Sequence, residues 1–174
     1  MKEKKSIEWY IIKAEEGNMK AQYNLGNRYY RGEDVVQDYI KAVELYMKAA
    51  QQGHAKAQFK LGVCYDNGTG IEQNKTMAVI WYTKAAEQGH AKAQYNLGNC
   101  YRRGEGVAPN DAIAVEWFLK AAEQGHPKAQ YNLGNRYYRG EGVDKDVFTA
   151  MDWYKKAAAQ GHEKAQNKLN TLTF

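Results

Sequence analysis

The sequence predicts an all-α fold, a right-handed α/α superhelical solenoid of 36-residue helix-turn-helix repeats. Glycine recurs at an interval of 36 residues, at Gly17, Gly53, Gly89, Gly125 and Gly161. A histidine follows the last four of these glycines, as His54, His90, His126 and His162. Only 2 prolines occur among the 174 residues, which favours helix throughout. Because one helix pair cannot bury its apolar face alone, successive pairs are expected to stack.

The period divides the chain into four full repeats with a half repeat at each end. The full units are residues 19–54, 55–90, 91–126 and 127–162. Residues 6–18 resemble the back half of a unit, and residues 163–174 resemble the front half and are expected to form a capping helix. Residues 1–5 are expected to be flexible. We therefore expect residues 1–174 to form one repeat domain with ten helices and no β-sheet.

Each unit begins with an amphipathic segment, helix A. In the third unit Ala93, Leu97 and Tyr101 recur at i, i+4 and i+8 and so share one helical face. Gly98 stands in the middle of this helix, where glycine costs ~1 kcal/mol relative to alanine. The other units repeat this choice, so we expect the glycine to let a second helix approach closely.

A Gly-x-Gly-Val loop then leads to helix B. Asn110 precedes this helix in the third unit and is a preferred N-cap residue. The residues at the same phase in the other units are Asp38, Asn74 and Asp146. Ala114, Phe118 and Ala122 form the apolar face of helix B, and Gly125 is placed for a left-handed helix end.

The unit A-x-A-Q-Y-N-L-G-x-x-Y-x-x-G-x-G-V, followed by A-x-x-W-Y-x-K-A-A-x-Q-G-H, resembles the Sel-1-like repeat (SLR), a relative of the tetratricopeptide repeat. The resemblance extends over nearly the whole chain in four consecutive copies. It implies a solenoid whose A helices line a concave face, and a role as an adaptor or scaffold for other proteins. It does not select a pathway or a partner.

The residue chemistry argues against an enzyme. The only serine, Ser6, lies outside any glycine-flanked elbow, and neither a P-loop nor a dinucleotide fingerprint occurs. The histidines occupy equivalent places in repeats that stack ~10 Å apart, too far for one zinc ion to bridge. We interpret them as residues of the inter-repeat turn near a helix C-terminus. No metal and no cofactor are expected.

Cys64 and Cys100 are also equivalent residues of adjacent repeats. We expect their Cα atoms to lie beyond the ~7 Å limit for a disulfide, which leaves both as thiols. Some secreted members of the resembled family pair cysteines within a repeat, and this chain lacks the second cysteine of such a pair, which favours a reducing compartment. No apolar stretch approaches the ~20 residues that span a bilayer. A cytoplasmic location and no membrane partner are expected.

The resemblance places one side of each A helix in a concave groove. The candidate partner-binding residues on that side are aromatic, amide, guanidinium and apolar: Tyr23, Asn27, Tyr30, Arg31, Phe59, Val63, Asn67, Tyr95, Asn99, Arg102, Arg103, Tyr131, Asn135, Tyr138 and Arg139. Amides can pair with a peptide backbone, and arginine can hold a carboxylate through two parallel hydrogen bonds. The predicted occupant is a protein or peptide segment that is acidic or ends in a free carboxylate. Phe59, Val63 and Asn67 are expected to form a less polar pocket.

Alternatives remain open at this point. The tyrosine and asparagine ladders either recognise a partner or pack adjacent repeats together. A nucleic-acid-binding helical repeat is the alternative function, although the net charge is only +5 and Glu33, Glu105 and Glu141 lie in the loops. A weak hydrolase or penicillin-binding protein, implied by cysteine-rich relatives, comes third. We expect a monomer.

Overall fold

The structure is a computed structural model that describes residues 6–172. Over this range the chain forms ten α-helices and no strand, which confirms the predicted all-α fold. The helices are α1 (Ile7–Glu15), α2 (Met19–Arg31), α3 (Tyr39–Gln51), α4 (Ala55–Asn67), α5 (Lys75–Glu87), α6 (Ala91–Arg103), α7 (Asp111–Glu123), α8 (Pro127–Arg139), α9 (Val147–Ala158) and α10 (Glu163–Leu172). The predicted flexible residues 1–5, and residues 173–174 of the predicted capping helix, lie outside the described residues.

The chain divides into two compact units, Met1–Gln88 and Gly89–Phe174. In the first unit α1 packs against α2, α2 against α3, α3 against α4 and α4 against α5. The second unit repeats this arrangement from α6 to α10. The even-numbered helices are the predicted A helices and the odd-numbered ones are the B helices.

The predicted caps begin and end the helices. Asn110 accepts a hydrogen bond from the amide of Ile113 and so caps α7, as Asp38, Asn74 and Asp146 cap the other B helices. Gly125 follows α7 with a φ of 82° and confirms the expected left-handed end. The A helices end at left-handed glycines of the loop, namely Gly32, Gly68, Gly104 and Gly140.

The histidines start the A helices, which is a role that the sequence analysis did not assign to them. The Nδ1 atom of His54 accepts a hydrogen bond from the amide of Ala57 at 3.2 Å. The backbone amide of the same histidine donates to the carbonyl of Ala49 and closes the end of α3. The predicted position at the inter-repeat turn is therefore right, but the side chain caps the following helix. Asn18, a common N-cap residue, holds this place before α2.

The glycine inside each A helix admits an aromatic ring from helix B. A Cβ atom on Gly98 would lie 2.7 Å from Cε1 of Phe118, which is closer than real Cβ contacts come. Gly26, Gly62 and Gly134 face Tyr46, Tyr82 and Tyr154 in the same way. The expected close approach of the two helices is thus confirmed.

Buried glutamines connect three helices in succession. The side-chain amide of Gln58 on α4 donates to the carbonyl of Ala50 at the end of α3, at 3.1 Å. Its oxygen accepts from Gln88, just beyond α5, at 2.7 Å. Gln22 with Gln52, and Gln130 with Gln160, repeat this pattern. The glutamine therefore satisfies an orphan carbonyl of one helix end while it pairs with the next helix end.

We predict that replacing Gly98 with alanine lowers the free energy of unfolding by up to about 2 kcal/mol. Overpacking against Phe118 costs ~1–3 kcal/mol, and the better helix propensity of alanine returns ~1 kcal/mol of it. Urea denaturation measures the change. Lys92→Ala, an exposed substitution on the same helix, is the control and should change stability by no more than ~0.5 kcal/mol. Equal stability of the two variants would contradict the close approach.

Candidate peptide-binding surface

The candidate residues lie on the A helices α2, α4, α6 and α8, but they differ in exposure. Most of them are half-buried. The exposed ones stand at the C-terminal ends of the helices: Arg31, Asn67, Arg103 and Arg139. Within each unit this surface therefore has a packed inner part and an exposed cationic end.

The tyrosines of the first turns stack on the capping histidines of the next repeat. The rings of Tyr23 and His54 lie 4.7 Å apart at 25°. Tyr95 with His126, and Tyr131 with His162, repeat the geometry at 4.8 and 4.7 Å. Each of these tyrosines also packs against the aromatic residue of its own helix B. One face of every ring is therefore already used to join adjacent repeats.

Two of the asparagines accept a hydrogen bond from a buried phenol. The hydroxyl of Tyr46 donates to Asn27 at 2.8 Å, and the hydroxyl of Tyr154 donates to Asn135 at 2.9 Å. Burial raises the pKa of both phenols, that of Tyr154 to about 12, so each hydroxyl keeps its proton. These two asparagines satisfy core donors that would otherwise be costly to bury.

Asn99 differs from the other two because Phe118 replaces the tyrosine of helix B and provides no hydroxyl. Its amide nitrogen donates to the carbonyl of Tyr95 at 3.1 Å, and its oxygen accepts a long 3.4 Å hydrogen bond from Arg102. Asn99 therefore contacts a cation instead of a core hydroxyl.

The second repeat departs from the pattern at Val63, which has no polar atom to offer. Tyr82 donates instead to Asp66, one turn further along α4, at 3.2 Å. Phe59 packs against Tyr82 with ring centroids 6.0 Å apart, and Val63 is half-buried. The predicted less polar pocket beside Phe59 stays a prediction.

The exposed arginines each have one acidic neighbour in the following loop. Arg31 pairs with Glu33 at 3.3 Å, Arg103 with Glu105 at 3.5 Å and Arg139 with Glu141 at 3.7 Å. The arginine side chains remain 55% to 59% exposed in these pairs. Exposed pairs of this kind contribute ~0–1 kcal/mol, so a ligand carboxylate can displace Glu33 or Glu105 at little cost. Glu141 also pairs with the nearly buried Arg136 at 2.6 Å.

The residues directly before these arginines are themselves cationic or contact a cation. Burial, together with Arg103 and Arg136, lowers the pKa of Arg102. Lys60 of the second repeat lies 5.4 Å from the ring centre of Tyr30, and Lys168 of the C-terminal half repeat lies 5.3 Å from that of Tyr138. These two tyrosines therefore hold a lysine of the next A helix by cation–π contact.

Two basic clefts that the candidate residues did not delimit lie at the other end of the A helices. In the first unit a cleft of about 470 Å³ is lined by Lys20, Lys56 and the Tyr23–His54 stack. In the second unit a corresponding cleft of about 500 Å³ is lined by Lys128, Lys164 and the Tyr131–His162 stack, and also by Glu163. A lysine directly before Ala-Gln recurs in every repeat as the motif K-A-Q. This regularity could have revealed both clefts in the sequence.

The remaining reactive groups are structural. Ser6 caps α1 by accepting a hydrogen bond from the amide of Trp9. Cys64 and Cys100 are buried thiols and form no disulfide, as expected, and burial raises the pKa of the Cys64 thiol to about 11. Across residues 6–172 no three His, Cys, Asp or Glu side chains are grouped as metal ligands would be. No helix in that range has the length and apolar character to cross a membrane.

A family model described as the Sel1 repeat matches residues 20–54, 55–90, 91–126 and 127–162. These spans coincide with the four predicted full repeats, except that the first begins one residue later. No curated protein matches the chain in sequence.

Solved structures with similar folds include two close relatives. One is described as a protective antigen present in uropathogenic Escherichia coli strains and displaying an SLR fold; it is 42% identical, with a TM-score of 0.95 over 97% of this chain and 36% of that chain. A Sel1 repeat protein from Oxalobacter formigenes is 37% identical, with a TM-score of 0.85 over 94% of this chain and 65% of that one. This chain thus spans less than two thirds of either relative.

A more distant neighbour is cysteine rich protein B of Helicobacter pylori. It is 28% identical, with a TM-score of 0.61 over 79% of this chain and 99% of that chain. The resemblance inferred from the repeat motif is confirmed by these matches.

We predict that stability falls as the pH drops below about 6.5, the ordinary pKa of histidine. Burial lowers the pKa of His54, His126 and His162, helped by Lys20 and Lys56, by Lys92 and Lys128, and by Lys128 and Lys164, respectively. A lowered folded-state pKa means that the unfolded chain binds the protons first, so stability is complete above pH 6.5 and is lost as the pH falls through the folded-state values.

The measurement is the urea midpoint between pH 8 and 5, for the wild type and for a variant with His54, His126 and His162 replaced by asparagine. Asparagine caps α2 in the same place without titrating. The variant should keep a flatter profile in this window. An equally steep profile in both proteins would show that other groups cause the loss.

Proposed function

The chain belongs to the Sel1 repeat family, and from that premise we propose that it is a protein-interaction scaffold whose A-helix surfaces bind an acidic, extended segment of another protein. Sel1 repeats are in general protein–protein interaction modules. The finer part of the proposal, the acidic segment and the residues that hold it, rests on the chemistry of this chain. It applies to each unit by itself.

The observation that carries the proposal is the distribution of cations along the A helices. In the second unit Lys128 and Lys164 line the cleft at one end, and Arg103 and Arg139 stand exposed at the other. The first unit repeats this with Lys20, Lys56 and Arg31. A carboxylate-rich segment along this face would meet a positive group at both ends.

The half-buried tyrosines between these ends form a rigid floor. Tyr95 and Tyr131 are held between a capping histidine and the core, so their exposed edges have fixed positions. A floor that is already ordered loses little entropy when a ligand arrives. The tyrosines therefore both pack the repeats together and present a preformed surface.

The groups available for chemistry favour binding without catalysis. Ser6 is committed as a helix cap, and the Cys64 thiol is buried with a raised pKa, which disfavours the reactive thiolate. We propose on these grounds that the chain is not an enzyme. A hydrolase or penicillin-binding activity needs an activated nucleophile, a role that neither the capping Ser6 nor the buried Cys64 suits.

We predict that Arg103→Ala weakens binding of an acidic peptide by ~1.5 to 3 kcal/mol, the range for a charge-assisted hydrogen bond. Glu105→Gln should instead strengthen it by up to ~1 kcal/mol, because this glutamate competes for the same arginine. Fluorescence anisotropy with acidic peptides, each with a free and an amidated C-terminus, measures both effects.

Lys155→Glu, an exposed charge reversal on α9, is the control and should leave the affinity unchanged. Equal affinities for wild type, Arg103→Ala and Arg139→Ala would mean that recognition occurs elsewhere. Binding of single-stranded oligonucleotides instead, with an affinity that falls steeply with salt, would favour the nucleic-acid alternative.

We also predict that substitutions of Asn99 and Asn135 have different effects, the first on peptide affinity and the second on stability. Asn135→Ala removes the acceptor of the buried Tyr154 hydroxyl, so the free energy of unfolding should fall by about 1 to 3 kcal/mol. Asn99→Ala loses no such bond because its partner position is Phe118, and stability should change by ~0.5 kcal/mol or less while peptide affinity falls. A stability loss of the same size in both variants would assign Asn99 to packing as well.

A further inference from the structure

One position of the B helices is tryptophan in every helix except α3. The residues at this phase are Trp9, Leu45, Trp81, Trp117 and Trp153. A lysine follows three residues later in the last four helices, as Lys48, Lys84, Lys120 and Lys156. Helix α3 has Leu45 in place of the tryptophan but retains the lysine, Lys48.

On α5 and α9 the tryptophan fills a slot built by three successive helices. In the first unit Trp81 is 6% exposed and clusters with Ala50 of α3 and Leu61 of α4. Met47, Tyr65 and Met77 pack around this cluster. The ammonium of Lys84 lies 4.4 Å from the centre of the Trp81 ring system.

The second unit shows the same slot with the same occupant. Trp153 packs against the cluster that contains Ala122 of α7 and Leu133 of α8, with Leu119 and Tyr137 beside it. Lys156 lies 4.0 Å from its ring centre. In both units, therefore, this slot holds an indole side chain.

The corresponding slot between α1, α2 and α3 is open. The residues one repeat before those around Trp81 are Ile11, Ala14, Leu25, Tyr29 and Lys41. All five line a cleft of about 250 Å³, together with Leu45, Lys48, Glu15 and Glu44. Leucine is smaller than tryptophan and has no aromatic ring, so the volume that an indole occupies elsewhere is accessible here.

We propose that this cleft binds a tryptophan side chain of a partner protein, in the place that the repeat's own tryptophan takes elsewhere. The floor is apolar, which suits the body of an indole. Lys48 occupies the position from which Lys84 and Lys156 cover a ring, so its charge complements the negative face of an aromatic occupant. The volume lies below the usual range for whole small-molecule ligands and suits a single side chain.

The site is separate from the A-helix surface. None of its lining residues belongs to the candidate groove, so binding in this cleft is independent of the acidic-peptide proposal. A partner can thus be held at both places or at either one, and each site can fail its test without affecting the other.

The test uses methyl-detected NMR of the whole chain with N-acetyl-L-tryptophanamide as the probe. Ile11, Leu25 and Leu45 should shift together, with a dissociation constant on the order of 1 mM, as expected for a fragment-sized ligand. N-acetyl-L-leucinamide, the matched aliphatic probe, should bind about tenfold more weakly. Equal binding of the two probes, or no shift at these methyls, overturns the proposal.

Two variants assign the shifts to the slot. Leu45→Trp fills it from within, so binding should be lost while the melting temperature rises, which also shows that the variant folds. Lys48→Met keeps the apolar floor and should weaken the tryptophan probe about threefold without affecting the leucine probe. Unchanged binding by the Leu45→Trp protein overturns the proposal.

A last comparison decides whether the occupant is a protein side chain. A peptide with one central tryptophan between glycines should shift the same methyls, and the peptide with alanine in its place should not. If free indole binds but the tryptophan peptide is excluded, the cleft admits only a small molecule and the proposal is wrong.

Discussion

The contact between a bare glycine backbone on helix A and an aromatic ring on helix B sets the spacing of every repeat. At Gly98 the ring of Phe118 lies where a Cβ atom would be, so no larger residue fits without a shift. This spacing lets the phenols of Tyr46 and Tyr154 reach the asparagines of the preceding A helix. It also holds the first-turn tyrosines against those rings, and so fixes the ladder on which the proposed binding surface rests.

Much of the proposed surface is also used for packing. A tyrosine that stacks on a capping histidine is part of the inter-repeat junction, and only its exposed edge is available to a ligand. The arginines at the C-terminal ends of the A helices are freer, since the glutamates paired with Arg31 and Arg103 are exposed and weakly held. Affinity is therefore expected to reside mainly at the ends of the A helices, with the ladder providing shape.

The fold was predictable because its determinants are local and repeat in phase. The cap at Asn110, the glycine at 98 and the left-handed turn at Gly125 each follow from the residue type at one position. The roles of Gln58 and His54 were not predictable in this way. Their partners, Gln88 and the histidine's stacked Tyr23, come from other helices, and only three-dimensional packing brings them together.

The separate roles of the candidate residues were not predictable from the sequence. Helical periodicity predicts which residues share one face of an A helix, but whether an asparagine faces the core depends on a residue 19 positions away. Asn135 serves a tyrosine hydroxyl, whereas Asn99 stands opposite Phe118 and contacts Arg102 instead. The presence of a phenol hydroxyl on the aromatic residue of helix B thus decides whether the asparagine side chain on helix A is used for packing.

A repeat protein provides its own comparison, since each position is seen several times in nearly the same surroundings. Where all copies agree, as at the glycine under the aromatic ring, the residue is explained by packing that every repeat needs. Where one copy departs and the neighbours do not compensate, packing no longer explains it. Val63 is compensated by Asp66, which takes over the Tyr82 hydroxyl. Leu45 is not compensated: the cleft beside it retains Lys48, and its volume stays open. An uncompensated departure in an otherwise regular array is therefore the strongest structural reason to look for a ligand at that place.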